Sequence, residues 1–228
     1  MCDVHLFSSF CSINANFKIW RSDMNYLQDT PVASIIFVLT IITSLYAFSN
    51  QQVYGKFMLH PYSVHRGERV YSIFTSGLIH KDYGHLFMNM LSYYFFAFTL
   101  ERMIGSWQFA ILYIASLALS DLSTILKHKD HFWYNSLGAS GAVSAVVFSY
   151  ILFDPLTSFY LFFIPVPIPA VIFGVLYLAY SAYASKQSGT INHDAHFYGA
   201  MAGIIITIIF FPQVPFEFIR EIRAGWFS

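Results

Sequence analysis

The most constraining feature of the sequence is a set of six long stretches that contain no Asp, Glu, Lys or Arg. They span residues 31–55, 83–100, 103–120, 132–153, 155–185 and 195–216. Each has at least 18 residues, and an α-helix needs about 20 residues to cross the hydrocarbon core of a bilayer. Since 57% of the 228 residues are hydrophobic and only 11% are charged, little chain remains for a soluble domain. The sequence therefore predicts an all-α membrane protein, a bundle of six transmembrane helices.

This pattern divides the chain into three parts. Residues 1–30 form a polar N-terminal segment, residues 31–212 the six-helix membrane domain, and residues 213–228 a short C-terminal tail. The polar segment holds both cysteines, Cys2 and Cys11, which form neither a disulfide framework nor a metal motif. Met24 is followed directly by "NYLQDTPVAS", which suggests the hypothesis that translation begins there and that residues 1–23 are dispensable.

The fifth stretch, residues 155–185, is long enough to hold more than one helix. Pro165, Pro167 and Pro169 alternate with apolar residues, and no regular helix interior accommodates such a run. The sequence therefore predicts a short non-helical segment followed by the fifth helix, from about Ala170 to Ala184.

Polar residues stand at the beginning of three of the predicted helices. His85 and Asn89 lie at the start of the second, Ser140 at the start of the fourth, and His196 at the start of the sixth. Even-numbered helices run in the same direction, so these side chains are expected at a similar depth below one membrane face. Polar groups at membrane depth are costly and usually functional.

Small residues accompany two of these side chains. Gly138 and Gly141 bracket Ser140, and Gly199 and Gly203 follow His196 on one helix face. Taken alone, such glycines commonly indicate close helix packing. If the two small faces meet, they also bring Ser140 and His196 within hydrogen-bond reach.

That pair would supply a nucleophile and a base. A serine hydroxyl becomes nucleophilic when an adjacent group takes its proton, and histidine titrates in the appropriate range. The backbone N–H of Ser140, at a helix start, can stabilise an oxyanion, as can the side-chain amide of Asn89. Asp194 is predicted to be the N-cap of the sixth helix rather than a third catalytic member.

Three motifs resemble those of the rhomboid family of intramembrane serine proteases. They are "GASG" at 138–141, "AHFYGAMAG" at 195–203 and "HLFMN" at 85–89, and the match in order and spacing covers about residues 32–212. The resemblance implies that Ser140 is the nucleophile, His196 the general base, and Asn89 with His85 the oxyanion side. It also implies that Glu101 and Arg102, in "LERMIGS", are structural charges at the membrane surface.

The sequence departs from this family at two places. Many members carry a Trp-Arg pair in the long first loop, where this chain has Tyr71 and Ser72. Many also carry a tyrosine four residues after the nucleophile, against which the histidine packs. Here that position is Ser144, so another group must hold His196, and Phe197 or Tyr198 are candidates.

The resemblance also implies a location and partners. The protein is expected to be a multi-pass protein of the cell (inner) membrane with cytoplasmic termini, although the basic residues, five on the side of the termini and seven on the other, weakly favour the opposite orientation. Its expected partners are transmembrane protein substrates and the lipid bilayer, with no nucleic acid, metal or cofactor.

Two other function classes are compatible with parts of the sequence. His80, His85, His193 and His196 are candidate ligands of a metal carrier or membrane metalloenzyme, since imidazole is a common metal ligand. However, the helical zinc motif H-E-x-x-H is absent from the sequence. A non-catalytic membrane chaperone on the same scaffold would need neither Ser140 nor His196.

Overall fold

The computed structural model describes residues 25–161, 164–186 and 192–226. The segment 1–23, Met24 and both cysteines lie outside these residues. In chain order the helices are α1 (Tyr26–Asp29), α2 (Pro31–Ser49), α3 (Gln51–Phe57), α4 (Pro61–His65), α5 (Ser72–Thr75), α6 (Tyr83–Ile104), α7 (Ser106–His128), α8 (Ser140–Phe153), α9 (Ala170–Ala184), α10 (His193–Phe210) and α11 (Val214–Trp226). A 3₁₀ turn covers Ser76–Leu78, and β1 (Ser158–Leu161) pairs with β2 (Ile164–Pro169).

The predicted all-α membrane class is confirmed. A long helix overlaps each of the six charge-free stretches, namely α2, α6, α7, α8, α9 and α10, and of these α6, α7 and α10 extend beyond their stretch. Helices α2, α7 and α10 are long and apolar enough to cross a membrane, and α8 and α9 are apolar but shorter. Many large apolar side chains on α2 are exposed, Ile42 at 59% and Tyr46 at 55% among them, as expected for a surface that faces lipid.

Helix α8 lies at the centre of the bundle. All of its residues from Gly141 to Ile151 are buried, and it packs against α6, α7 and α10. A helix with apolar residues on every face is expected where its whole surface is buried, in a protein core or in a membrane. Ser140, the first residue of α8, therefore lies at the end of the central helix of the bundle.

The segment between α8 and α9 is non-helical, as predicted from its prolines. β1 and β2 form a short antiparallel hairpin, and α9 begins at Ala170 directly after Pro169. Phe159 of β1 packs between Phe96 and Phe173, with ring centroids 5.0 and 5.3 Å away. The hairpin therefore connects the start of α9 to α6.

The first loop, between α2 and α6, folds into short helices. Arg69 holds these together, since its guanidinium donates hydrogen bonds to the carbonyl oxygens of Gly55, Lys56 and Met58 at 2.6 to 3.1 Å. Carbonyls at a helix C-terminus lack intrahelical partners, and a cation there is favourable.

Of the residues that stand where many family members have Trp-Arg, Tyr71 is half exposed and Ser72 is buried.

Glu101 is a structural charge, since it caps another helix. Its carboxylate accepts hydrogen bonds from the backbone N–H groups of Val32 at 3.1 Å and Ala33 at 2.6 Å. These N–H groups lie in the first turn of α2, where helix geometry provides no acceptor and a negative charge is favourable. The side chain is only 1% exposed, so this contact joins α2 to α6 inside the protein.

Replacement of Glu101 by glutamine is expected to destabilise the protein by roughly 1–3 kcal/mol, because hydrogen bonds to a charged acceptor are replaced by one neutral bond and an unpaired donor. Chemical unfolding in detergent micelles measures this loss. Glu68→Gln, a change at an exposed side chain, is the matched control and should leave the unfolding midpoint unchanged. Equal midpoints for both variants would contradict the capping role of Glu101.

The C-terminal tail predicted for residues 213–228 contains helix α11. Its sequence alternates apolar and charged residues with helical spacing, and Phe216 and Ile219 lie on its exposed side. Such an amphipathic helix directly after a membrane helix is typical of a segment that lies along the membrane surface.

Candidate active site

Ser140 begins α8 directly after a turn that requires glycine. Gly138 has φ +115°, a conformation that residues with a β-carbon rarely adopt. A β-carbon at Gly138 would also lie 2.7 Å from Cε1 of His85. The turn and the close approach of His85 together explain the glycine two residues before the serine.

Three contacts position the segment before Ser140. Leu59 and Ser136 exchange backbone hydrogen bonds at 2.9 and 3.0 Å, and the N–H of Gly138 donates to the carbonyl of Ser76 at 2.9 Å. The N–H of Ala139 donates to Nε2 of His80 at 3.5 Å. The first loop therefore acts as a support for the start of α8.

His80 is suited to this support in its neutral form. Its Nδ1 lies 3.0 Å from Oγ of Ser44, which donates to the carbonyl of Leu78 at 3.0 Å. Ser44 thus accepts from Nδ1–H, while the unprotonated Nε2 accepts from Ala139. Burial of the fully enclosed ring, together with the nearby His85, lowers the pKa of His80 to about 3.

Protein stability should therefore fall as the pH is lowered. A histidine whose pKa is lower in the folded than in the unfolded chain contributes its full stabilisation above pH 6.5, and the contribution is lost as the pH falls toward the folded value of about 3. Between pH 7 and pH 4.5 this amounts to about 2–3 kcal/mol. Unfolding of the wild type and of His80→Gln across this range measures it, and equally steep pH dependence in both proteins would contradict the expectation.

Helices α8 and α10 cross at their glycines. A β-carbon at Gly199 would lie 2.9 Å from Cα of Gly141, and one at Gly203 would lie 2.6 Å from Cα of Ala145. Real β-carbons do not approach other atoms this closely, so the two backbones touch at Gly199 and Gly203. The small faces of the fourth and sixth predicted helices therefore meet.

This crossing brings the two principal candidate residues together. Nε2 of His196 lies 2.8 Å from Oγ of Ser140, a normal hydrogen-bond distance. Both side chains are half-buried. A nucleophile and a base at this separation are the geometry that covalent catalysis by serine requires.

The start of α10 is capped by Asn192, not by Asp194. The side-chain oxygen of Asn192 accepts from the N–H of Ala195 at 3.1 Å, and its amide nitrogen donates to Oγ1 of Thr124 at 2.7 Å. The predicted N-cap role of Asp194 is wrong because this residue is already inside the first turn. Its carboxylate pairs with Lys127 of α7, so it joins α10 to α7.

His85 and Asn89 lie one turn apart on α6. The amide nitrogen of Asn89 donates to the carbonyl of His85 at 3.0 Å, and this leaves a second N–H of the amide for another acceptor. The Asn89 side chain is buried, while the His85 ring contacts Gly138. The His80 ring meets the His85 ring edge-on, with centroids 5.0 Å apart.

The ring beside His196 comes from a helix for which the sequence offers no motif. Tyr177 of α9 lies nearly parallel to the imidazole, with centroids 6.3 Å apart and planes 20° apart, and His193 meets it edge-on at 5.9 Å. Phe197 and Tyr198, the residues expected from sequence, pack against each other. Tyr177 was missed because its contact depends on how α9 lies against the bundle.

The candidate histidine ligands lie in two ring pairs. His80 pairs with His85, and His193 with His196. Among the residues that the structure describes, no group of three or more His, Cys, Asp or Glu side chains is arranged to hold a metal ion. The geometry therefore gives the metal-binding alternative no support.

Comparison with known proteins identifies the family. The family described as the Rhomboid domain matches residues 67–213, which is more than half of the chain. The chain belongs to the rhomboid family. The matched region of this rhomboid includes Ser140, His196, Asn89 and His85, and the resemblance drawn from the three motifs is confirmed.

Three curated relatives are similar to this rhomboid over most of its length. RHOMBOID-like protein 12, mitochondrial, of Arabidopsis thaliana is 25% identical over 204 residues, which is 82% of this chain and 60% of the relative. Rhomboid protein 1, mitochondrial, of Saccharomyces cerevisiae is 30% identical over 68% of this chain and 47% of its own length. Putative rhomboid protease YdcA of Bacillus subtilis is 28% identical over 60% of this chain and 65% of its own length. The chain thus spans about half to two thirds of the lengths of these relatives.

Proposed function

We propose that this protein is an intramembrane serine endopeptidase that hydrolyses peptide bonds in or near the transmembrane segments of other membrane proteins. The observation that supports it most is the 2.8 Å separation of Oγ of Ser140 and Nε2 of His196. Membership of the rhomboid family and the name of the Bacillus subtilis relative, a putative rhomboid protease, agree with it.

The first half of the reaction forms an acyl-enzyme. Oγ of Ser140 attacks the scissile carbonyl carbon while Nε2 of His196 takes the hydroxyl proton. When the tetrahedral intermediate collapses, the C–N bond breaks and His196 returns the proton to the departing amine. In the second half, water attacks the ester carbon, His196 takes a proton from this water, and Ser140 leaves as the restored hydroxyl.

The oxyanion of each intermediate needs donors on the side opposite His196. Ser140 is the first residue of α8, so its backbone N–H has no acceptor within the helix. The free N–H of the Asn89 amide and the His85 ring are the proposed side-chain donors. Such donors contribute most in a site with little water, because they are oriented before charge develops.

Asn89→Ala is expected to lower kcat by about 10²–10³-fold and leave measurable activity, which is the usual cost of removing one oxyanion donor. KM should change little because the lost bond strengthens only in the transition state. Steady-state kinetics with a reconstituted substrate measure both constants. Asn135→Ala, at an exposed amide in the loop before α8, is the control. A rise in KM at constant kcat would contradict the oxyanion role.

The chemistry of these residues needs no cofactor, since water is the second reactant. The proposed partners are single transmembrane helices of substrate proteins that enter from the lipid bilayer. We propose that they approach beside α9, the fifth of the six predicted membrane helices. We propose cytoplasmic termini and a site that opens toward the opposite face. A reporter fused after Ser228 tests this orientation, and an extracytoplasmic signal would refute it.

The membrane that houses the protein is a separate part of the proposal. The sequence leads us to propose the cell (inner) membrane, whereas the names of two relatives, from Arabidopsis thaliana and Saccharomyces cerevisiae, include the word mitochondrial. Fractionation of the source cells separates the two possibilities. Recovery in a mitochondrial membrane would overturn the cell-membrane assignment and leave the proposed chemistry unchanged.

The proposed activity is tested with purified protein in liposomes that contain a single-span substrate. The wild type should cleave the substrate, Ser140→Ala should not, and a chelator should have no effect. Cleavage that survives the loss of Ser140, or that disappears with the chelator, would overturn the proposal. Tight binding of the substrate helix without cleavage by the folded wild type would favour the chaperone function instead.

A further inference from the structure

The ring of Tyr177 and the side chain of Ser144 form a connected pair beside His196. The hydroxyl of Tyr177 lies 2.8 Å from Oγ of Ser144, and the tyrosine ring lies offset and nearly parallel to the imidazole, with centroids 6.3 Å apart. This distance falls in the range at which aromatic rings interact favourably. The pair thus links α8, α9 and α10 at the level of the candidate active site.

The position of Tyr177 is itself fixed by packing. Phe148 of α8 and Phe173 of α9 flank its ring, with centroids 5.6 and 5.9 Å away. Ser144 is only 5% exposed, so its hydroxyl needs a partner inside the protein, and Tyr177 provides it. A ring held at both its face and its hydroxyl has little freedom to move.

We propose that Tyr177 is the positioning residue for His196, with Ser144 as its anchor. This inference rests on the proposed protease function and assigns how its general base is held. The ring limits rotation of the imidazole and keeps Nε2 directed at Oγ of Ser140. In many rhomboids a tyrosine on the nucleophile's own helix, four residues after it, packs against the histidine; here α9 supplies the ring, and the serine at that position leaves room for it.

Moving the aromatic ring from α8 to α9 requires suitable residues at both positions, 144 and 177. A large side chain at Ser144 would occupy the space that Tyr177 fills, whereas an apolar small residue there would leave the tyrosine hydroxyl unpaired. Serine is small and can accept or donate one hydrogen bond. We therefore expect the hydroxyls of Ser144 and Tyr177 to depend on each other for their hydrogen bond.

Five variants separate the ring from its anchor, one of them the double variant Tyr177→Phe with Ser144→Ala. Tyr177→Phe keeps the ring and removes the hydroxyl, Ser144→Ala removes the anchor, and Tyr177→Leu removes the aromatic ring at similar volume. The exchange variant, Ser144→Tyr combined with Tyr177→Ser, moves the ring to α8. Tyr46→Leu, at an exposed tyrosine of α2 that is 55% accessible, is the control. Each is assayed for kcat and KM in liposomes, and its thermal stability is measured.

Loss of the ring should reduce kcat and spare KM. We expect Tyr177→Leu to lower kcat about 10²-fold with KM within about twofold, since a misdirected base slows the chemical step. Tyr177→Phe and Ser144→Ala should each cost about 2- to 10-fold, and their combination should be no worse than either, because both remove one hydrogen bond. The exchange variant should recover kcat to within about 10-fold of the wild type.

Wild-type kcat in folded Tyr177→Leu would overturn the assignment. A kcat that follows thermal stability across the variants, with no recovery in the exchange variant, would also overturn it. A second readout does not depend on cleavage. The ring-proton resonances of His196, assigned by comparison with His196→Gln, should shift in Tyr177→Leu and stay near their wild-type position in Tyr177→Phe. If the wild type cleaves nothing, the protease function fails, and these resonances still decide whether Tyr177 holds the ring.

Discussion

Ser140→Ala and His196→Ala are each expected to lower the rate of peptide-bond hydrolysis by at least roughly 10³-fold, and the double variant should be little worse than either. The reason is that the two side chains act as one unit. Without the base the hydroxyl is not activated, and without the hydroxyl the base has no proton to take. Their hydrogen bond at 2.8 Å is the structural basis of this expectation.

Single-turnover cleavage by the three variants in liposomes measures the effect. Because the variants truncate only half-buried side chains near the starts of their helices, the unfolding midpoint should change little, and far-UV circular dichroism checks that the helices remain. Ser123→Ala, at a partly buried serine whose hydroxyl donates to the carbonyl of Ser120 in the same helix, is the matched control. Losses that multiply in the double variant would show independent roles and contradict a shared mechanism.

Gly199→Val is expected to lower both stability and activity. A β-carbon at this position would lie 2.7 Å from the carbonyl carbon and 2.9 Å from Cα of Gly141, so α10 must move away from α8. Because the obstacle is backbone rather than a flexible side chain, we expect a destabilisation on the order of 3 kcal/mol, at the upper end for overpacked sites. The same displacement carries His196 away from Ser140, so the residual folded protein should also be impaired.

Two measurements separate these effects. Unfolding in detergent reports the stability, and the rate per folded molecule reports the geometry of the pair. Gly55→Ala is the control, since a β-carbon added there meets nothing within 4 Å among the described residues beyond its chain neighbours and its own helix backbone, and it should lower neither quantity. Full stability of Gly199→Val would contradict the close backbone contact between the two helices.

Much of this fold follows from one-dimensional patterns. The charge-free stretches predict the six long helices because charge is costly in lipid over the whole length of a span. Alternate prolines predict the break before Ala170, since proline lacks the backbone donor that a helix interior needs. Glycines spaced by four residues predict the face of α10 that meets α8, and this face also carries His196.

The features that the sequence did not reveal depend on contacts between distant segments. The prediction for Asp194 failed because Asn192 and Asp194 are both good N-cap residues. The sequence alone does not show that the helix begins at His193, between the two. Tyr177 lies 19 residues before His196 in an apolar helix with no motif. Its contact depends on the lateral position of α9, which periodicity does not determine.

If His196 activates Ser140 as a nucleophile, a reagent that traps activated serines should react with Ser140, and the reaction should depend on His196. A fluorophosphonate transfers its phosphonyl group to an activated serine oxygen with loss of fluoride, and mass spectrometry of the digested protein locates the adduct. We predict a single adduct on Ser140 in the wild type and a labelling rate at least roughly 10²-fold lower in folded His196→Ala. Equal labelling of Ser140 in both proteins, or no labelling of the folded wild type, would contradict the account.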